Sequence, residues 1–154
     1  MVGYCDASWA PDPNDPRSVT GNIFTLHGLA ISWNSKRQRT TAISSTEAEY
    51  MALSTATQEA VWLRRFCIEL GIIQEKPLTI YCDNKGAIDL AKNKHYSPRT
   101  RHISTRHHFI RELIQAKKII VDHLRSNEMP ADILTKATAA PRLQKFMDMI
   151  GLFE

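Results

Sequence analysis

The chain has 154 residues, 43% hydrophobic and 23% charged, with a formal net charge of +4 and a pI near 9.1. That length suits one domain burying roughly two-thirds of its unfolded surface. No apolar run is long enough for a membrane-spanning helix, and no collagenous or low-complexity bias appears. Three cysteines are too few and too oddly spaced for a disulfide framework or a zinc site, so a reducing compartment is expected. The basic balance points weakly to a polyanionic partner. Met1 leads almost directly into a strand without a signal peptide, a beginning expected of a domain within a longer protein.

The first predicted strand is Val2-Gly3-Tyr4-Cys5-Asp6, and its last three residues recur in Leu78-Thr79-Ile80-Tyr81-Cys82-Asp83. Both runs are rich in β-branched and aromatic residues and end in small polar ones. Alternation puts each Tyr on the same face as its Asp and turns each Cys the other way. Side by side, two such strands crowd two carboxylates at one edge, and a divalent cation between them would relieve the repulsion.

After Asp6, Pro11-Asp12-Pro13-Asn14-Asp15-Pro16 reads as a loop with Asp12 and Asp15 in turns. Strands follow over Val19 to Leu26 and Leu29 to Asn34, separated by His27-Gly28 at hairpin spacing. Lys36-Arg37-Gln38-Arg39 reads as an exposed basic loop. A helix then begins near Ser44 to Thr46 and runs to Leu70, closed by Gly71. Two capping boxes overlap at its start, Ser44 with Glu47 and Thr46 with Glu49, and the pattern does not choose between them. Helical steps from Glu49 reach Ala52, Leu53, Ala56, Ala60, Leu63 and Cys67. Steps from Glu47 reach Met51, Ser54, Gln58 and Arg65, so Glu49 opens the apolar stripe and Glu47 a mostly polar face. An acid on a buried stripe is costly unless paired or metal-bound.

Pro77 precedes the second Tyr-Cys-Asp strand. Asn84 to Ala91 and Ile103 to Lys117 read as helices, with the basic loop Lys92 to Arg101 between them. Lys118 to Leu124 is a fifth strand, Ser126-Asn127-Glu128 a turn, and Pro130 opens a helix that carries Asp132 in its first turn. Pro141 opens a last amphipathic helix with Leu143, Phe146, Met147 and Ile150 on one stripe. Strands separated by helices are expected to be parallel, and the hairpin makes the sheet mixed, so the class is α/β. Trp33 and Trp62 are expected in the core.

Four acids thus hold defined positions: Asp6 and Asp83 at strand ends, Glu49 at a helix start and Asp132 in a late first turn. A carboxylate cluster with few other ligands suits Mg²⁺ or Mn²⁺. Two such ions about 4 Å apart can activate water and stabilise a leaving oxygen in phosphodiester hydrolysis. Three histidines, His102, His107 and His108, lack the cysteine or third element that a zinc site needs.

The stretches Ile31-Ser32-Trp33-Asn34-Ser35-Lys36, Ser44-Ser45-Thr46-Glu47-Ala48-Glu49-Tyr50-Met51-Ala52-Leu53 and Tyr81-Cys82-Asp83-Asn84 resemble the ribonuclease H domain of Copia-type (Pseudoviridae) LTR-retrotransposon Pol polyproteins. So do Arg99-Thr100-Arg101-His102-Ile103, His107-His108-Phe109-Ile110-Arg111-Glu112 and Ala131-Asp132-Ile133-Leu134-Thr135-Lys136. The blocks keep the family's order and cover most of residues 2–137. The resemblance implies a ribonuclease H-like fold: a mixed five-stranded sheet with helices on both faces, the first strand central and parallel to the fourth. It implies a two-metal endonuclease that cuts the RNA strand of RNA–DNA hybrids, leaving a 5′-phosphate and a 3′-hydroxyl. Asp6, Glu49, Asp83 and Asp132 fall on the family's metal-binding, catalytic positions, for two Mg²⁺ ions with Mn²⁺ as substitute.

For the substrate, Lys36, Arg37, Arg39, Lys85, Arg99 and Arg101 are candidate phosphate contacts, with Ser45, Thr46 and Asn84 candidates for hydroxyl contacts. The histidine that relatives carry in the loop before the fourth acid has no clear counterpart, since His123 falls in the fifth strand. The expected organisation is a ribonuclease H domain over 2–137 and, over 138–154, a C-terminal helix packing on it or on a missing polymerase domain. The expected partners are the hybrid and a reverse transcriptase upstream in the same polyprotein, with no membrane. The expected location is cytoplasmic, in virus-like particles, or nuclear. The alternative is a non-catalytic ribonuclease H-like binding or connection module.

Overall fold

The computed structural model describes residues 1–72, 76–93 and 104–152, with side chains of the last segment from residue 108 onward. Its strands are β1 (Val2–Ser8), β2 (Val19–Leu26), β3 (Leu29–Arg37), β4 (Leu78–Cys82) and β5 (Ile119–His123). Its helices are α1 (Ser45–Glu69), α2 (Lys85–Lys92), α3 (Ser104–Gln115) and α4 (Ala140–Met149), with short 3-10 turns at Ser126–Glu128 and Pro130–Leu134. The sheet runs β3-β2-β1-β4-β5. β1 is central, antiparallel to β2 and parallel to β4, and β4 is parallel to β5.

The two Tyr-Cys-Asp echoes lie side by side in register, Tyr4 opposite Tyr81 and Cys5 opposite Cys82. The tyrosine rings stack 5.7 Å apart, and the aspartates follow at the same end of the sheet. His27 (φ 52°) and Gly28 (φ 84°) both take left-handed backbone in the β2–β3 hairpin. That is the two-residue turn whose twist matches its strands.

Ser44 is the cap of α1: its hydroxyl accepts from the Glu47 amide at 3.2 Å, while the Glu47 carboxylate accepts from the Ile43 amide at 2.8 Å. Gly71 at φ 76° ends α1. Its amide donates to the Ile68 carbonyl at 2.9 Å and that of Ile72 to Cys67 at 2.8 Å, a double closure that satisfies the last carbonyls. Leu53, Ala56, Ala60 and Leu63 of α1 join Cys5, Phe24, Ile80 and Cys82 of the sheet, Ala87 and Ile88 of α2 and Ile110 of α3 in one core. The Pro130–Leu134 turn packs on β1 and β2, and α4 packs on that turn. Phe146 and Ile150 of α4 are buried, Leu143 is exposed, and the Ala30 amide donates to the Ile150 carbonyl at 2.8 Å.

Four expectations are corrected. Lys36 and Arg37 belong to β3, paired with Thr20 and Val19. The following Gln38 is buried, its amide donating to Thr20 Oγ1 at 3.0 Å and to the Ala48 carbonyl at 2.9 Å. Glu47, Met51 and Ser54 are buried as well, because the first turns of α1 are enclosed on more than one side, whereas helical phase sees only one stripe. Trp33 is 67% exposed and Trp62 57%: Trp33 stands on an edge strand, and Trp62 faces outward from α1 and stacks on Phe66 at 5.3 Å. Cys82, turned off the aspartate face, nevertheless meets an acid, since its Sγ lies 3.9 Å from Glu49 Oε2.

Candidate metal centre

Each of the four acids is delivered by a different element. Asp6 lies in β1, opposite Gly21 of β2. Asp83 directly follows β4, Glu49 sits in the first turns of α1, and Asp132 in the Pro130–Leu134 turn. Asp6 and Asp132 are each 1% exposed, and Glu49 is buried too.

The acids form two overlapping groups. Asp6, Asp83 and Asp132 each bring one oxygen within 4.8 Å of the others, and Glu49, Cys82 and Asp83 do the same with their ligand atoms. Asp83 belongs to both. Glu49 Oε1 accepts from the Ala7 amide at 3.1 Å, which fixes the carboxylate beside the end of β1. The Thr135 hydroxyl donates to Asp6 Oδ2 and the Ser126 hydroxyl to Asp83 Oδ2. Lys136 Nζ lies 3.0 Å from Asp132 Oδ1 and 3.7 Å from Asp6 Oδ2. Arg142 pairs with Asp132 Oδ2.

The electrostatics are those of crowded, partly dry carboxylates. Burial pushes Asp6 up to about 6; the Thr135 hydroxyl and Lys136 pull it down, while Asp132 and Asp83 push it further up. Burial pushes Glu49 up to about 10, helped by Cys82, Asp6 and Asp83. Lys136 is raised: burial acts against its charge, but Asp6 and Asp132 outweigh it.

The residues fit a hard divalent cation. Asp6 Oδ1 is buried and accepts no hydrogen bond among the described residues, and an orphaned carboxylate oxygen is costly unless a cation meets it. Oxygen ligands dominate, as Mg²⁺ and Mn²⁺ require.

Gly21 makes the assembly possible. A Cβ there would stand 2.7 Å from Thr135 Cγ2 and 2.9 Å from the Ala131 carbonyl oxygen. The bare backbone thus lets the turn that carries Asp132 lie flat on β2, next to Asp6. Gly21→Ala is expected to cost about 1–3 kcal/mol through overpacking and to weaken divalent-metal binding at the same time. Urea unfolding in EDTA and a Mn²⁺ titration check the two effects.

The candidate substrate residues gather in two places. Lys36, Arg37 and Arg39 line a cleft of about 420 Å³ with Asn34, Thr55 and Gln58. Arg37 is partly engaged there, 2.6 Å from Asp15 Oδ2 and 3.7 Å from Asp12 Oδ2. Ser45 and Thr46 open α1, and a Cβ at Gly86 would stand 3.1 Å from Thr46 Cγ2, so the start of α2 abuts Thr46. Lys85 is the first residue of α2, and Asn84 uses its side chain to cap that helix, accepting from the Ala87 amide at 3.0 Å. Arg99, Arg101 and His102 lie outside the described residues. His123 is exposed at the end of β5. Sequence reasoning missed Thr135, Lys136, Ser126 and Arg142; a hydroxyl and an ammonium three and four residues after Asp132 were the available signal for the first two.

Comparison with solved structures defines the class. LC11 ribonuclease H1, solved in complex with an RNA/DNA hybrid, superposes with a TM-score of 0.63 at 16% identity, covering 87% of this chain and 92% of that one. The prototype foamy virus protease-reverse transcriptase matches with a TM-score of 0.58 at 18% identity, covering 98% of this chain and 20% of that one. The fold is ribonuclease H-like. In sequence, the chain is 44% identical over 152 residues to the retrovirus-related Pol polyprotein from transposon TNT 1-94 of Nicotiana tabacum, 99% of this chain and 11% of the relative. It is 40% identical over 152 residues to that from transposon RE1 of Arabidopsis thaliana, 99% of this chain and 10% of the relative. No family model matches. The chain is a ribonuclease H-like region of a Copia/Ty1-type retrotransposon Pol polyprotein, spanning about a tenth of the length of these relatives.

Proposed function

We propose that this chain is a metal-dependent endoribonuclease that hydrolyses the RNA strand of RNA–DNA hybrids during reverse transcription. The observation that carries this reading is the pair of carboxylate groups sharing Asp83 at one end of a ribonuclease H-like sheet. Asp6, Glu49, Asp83 and Asp132 would hold two Mg²⁺ ions, or Mn²⁺ in their place. When bound, such ions supply an activated water and neutralise charge on the scissile phosphate and its leaving oxygen.

The chain's own groups do the rest. The Ala7 amide and the Thr135 hydroxyl fix Glu49 and Asp6, so the ligand set is organised before substrate arrives. Lys36 and Arg39 engage backbone phosphates, and Ser45 and Thr46 lie beside Glu49, where ribose hydroxyls of the RNA strand would be met. The products are a 5′-phosphate and a 3′-hydroxyl. Residues 2–137 constitute the catalytic domain, and 138–154 carry a helix that covers it. The reverse transcriptase would lie upstream in the same polyprotein, within cytoplasmic virus-like particles. No helix among the described residues is long and apolar enough to cross a membrane.

The test is a labelled RNA–DNA hybrid. Cleavage of its RNA strand is expected in Mg²⁺ or Mn²⁺ and not in EDTA, with single-stranded RNA and duplex DNA left intact. No cleavage in either metal refutes the enzyme and leaves the non-catalytic binding module.

The phosphate contacts carry their own prediction. The double variant Lys36→Ala/Arg39→Ala should weaken hybrid binding and flatten its log–log salt dependence by roughly one unit per residue. Fluorescence anisotropy across a salt series measures the slope. An unchanged slope removes both residues from the interface.

A further inference from the structure

We propose that Arg142, at the start of α4, is a positioning residue for the metal centre and makes α4 part of it. The inference rests on reading Asp83 and Asp132 as metal ligands. Arg142 Nη2 binds Asp132 Oδ2 and also donates to the Ser126 carbonyl. The hydroxyl of the same Ser126 donates to Asp83 Oδ2. One guanidinium therefore holds one acid directly and a second through the Ser126–Glu128 turn. Lys145, three residues on, donates to the Asn127 carbonyl at 2.8 Å and so holds that turn from the same helix.

The guanidinium is itself held in place. It lies over the Phe146 ring, 5.1 Å from the centroid, and Phe146 is fully buried. A guanidinium stacked on a ring, with its Nη2 bonded to two acceptors, loses little freedom when it orients a carboxylate.

Asp132 carries two basic partners, and their positions separate their roles. Lys136 forms an ion pair with Asp132 Oδ1 at 3.0 Å and reaches Asp6 Oδ2 at 3.7 Å, so its ammonium lies between two of the clustered acids. It is 43% exposed on a flexible stem, free to give way if a cation were held by Asp6 and Asp132. Arg142 bonds the other oxygen, Oδ2, and so would leave Oδ1 for a cation. A carboxylate gripped at one oxygen by a fixed donor presents the other in a fixed direction, and loss of such an outer partner typically weakens metal binding about 10–100-fold.

The sign of the effect separates positioning from charge. Removing a positive charge beside a cation site should, by charge alone, tighten metal binding. Loss of positioning should weaken it. Mn²⁺ titration of the full 154-residue chain by calorimetry compares wild type, Arg142→Met and Arg142→Lys, with circular dichroism melts in EDTA to verify folding. Arg142→Met is expected to weaken Mn²⁺ binding about tenfold or more. Its kcat should fall at limiting metal and recover at high metal, with KM for hybrid unchanged. Arg142→Lys keeps the charge but not the planar fork, and should fall between. Unchanged or tighter Mn²⁺ binding by a folded Arg142→Met overturns the proposal. If that variant does not fold, Arg142→Lys decides: at equal charge, equal affinity overturns the proposal and weaker affinity supports it. Wild type that binds no Mn²⁺ overturns the metal reading and this inference with it. Wild type that binds Mn²⁺ but cuts no hybrid removes the enzymatic reading alone.

Discussion

Asp83→Asn is expected to lower hybrid cleavage in Mg²⁺ by at least ~10³-fold, since a catalytic metal supplies several kcal/mol of transition-state stabilisation. Asp83 is the residue to change because it alone belongs to both carboxylate groups. Asparagine keeps the shape and still accepts from the Ser126 hydroxyl, but it loses the charge that would help hold the proposed cations. The fold should not suffer. The Asp83 charge pushes up both Asp6 and Glu49, so removing it relieves repulsion. The metal-free variant should melt at or above the wild-type temperature. Glu49→Gln and Asp132→Asn each touch one group only, so each should retain binding of one ion where Asp83→Asn retains neither. Calorimetric stoichiometry with Mn²⁺ distinguishes the three. Near-normal cleavage by Asp83→Asn, or its retention of two bound ions, would remove Asp83 from the centre of the site.

How much of this was legible beforehand differs by residue. The repeated Tyr-Cys-Asp announced two strands ending alike, and side by side they bring the tyrosine rings to 5.7 Å and Asp6 and Asp83 into one acidic group. Helical phase alone turned Glu49 inward. Asp132 had only a first-turn position until the family resemblance gave it a partner set. Its partner Lys136, four residues on, left a local signal, but the links between elements did not, because they join distant parts of the chain: Thr135 meets Asp6 across 129 residues, and Arg142 reaches back to Ser126 from another element. Periodicity sees one element at a time. Trp33 and Trp62 fail for the same reason. An aromatic residue at a strand or helix position reads as core, but exposure depends on whether the strand lies at an edge and whether anything covers the helix. Gln38 was read as loop because its sequence neighbours are basic, whereas its amide bonds to Thr20 and Ala48 bury it.

The same crowding predicts opposite pH responses with and without metal. Burial first, then neighbouring acids, raise Asp6 from an ordinary 3.8 to about 6 and Glu49 from 4.5 to about 10. A carboxyl whose folded pKa is raised binds its proton more tightly in the folded state than in the unfolded one. The stability it contributes is therefore fully present below the unfolded pKa and is lost as pH rises through the folded pKa. For Asp6 that window runs from about pH 4 to 6, and for Glu49 it extends from about 4.5 towards 10. In EDTA the melting temperature should thus fall by several degrees between pH 5 and pH 8. Divalent cations require the deprotonated carboxylates, so metal binding releases protons and strengthens as pH rises. The melting curves in EDTA and in saturating Mn²⁺ should nearly coincide at pH 5 and separate at pH 8, with cleavage rising over the same interval. Asp6→Asn removes one of the titrating groups and should flatten the EDTA curve between pH 5 and 7, which separates this centre from ionisations elsewhere. A metal-induced shift of equal size at pH 5 and pH 8 would mean that the cation binds groups already ionised at pH 5, and not the buried pair Asp6 and Glu49.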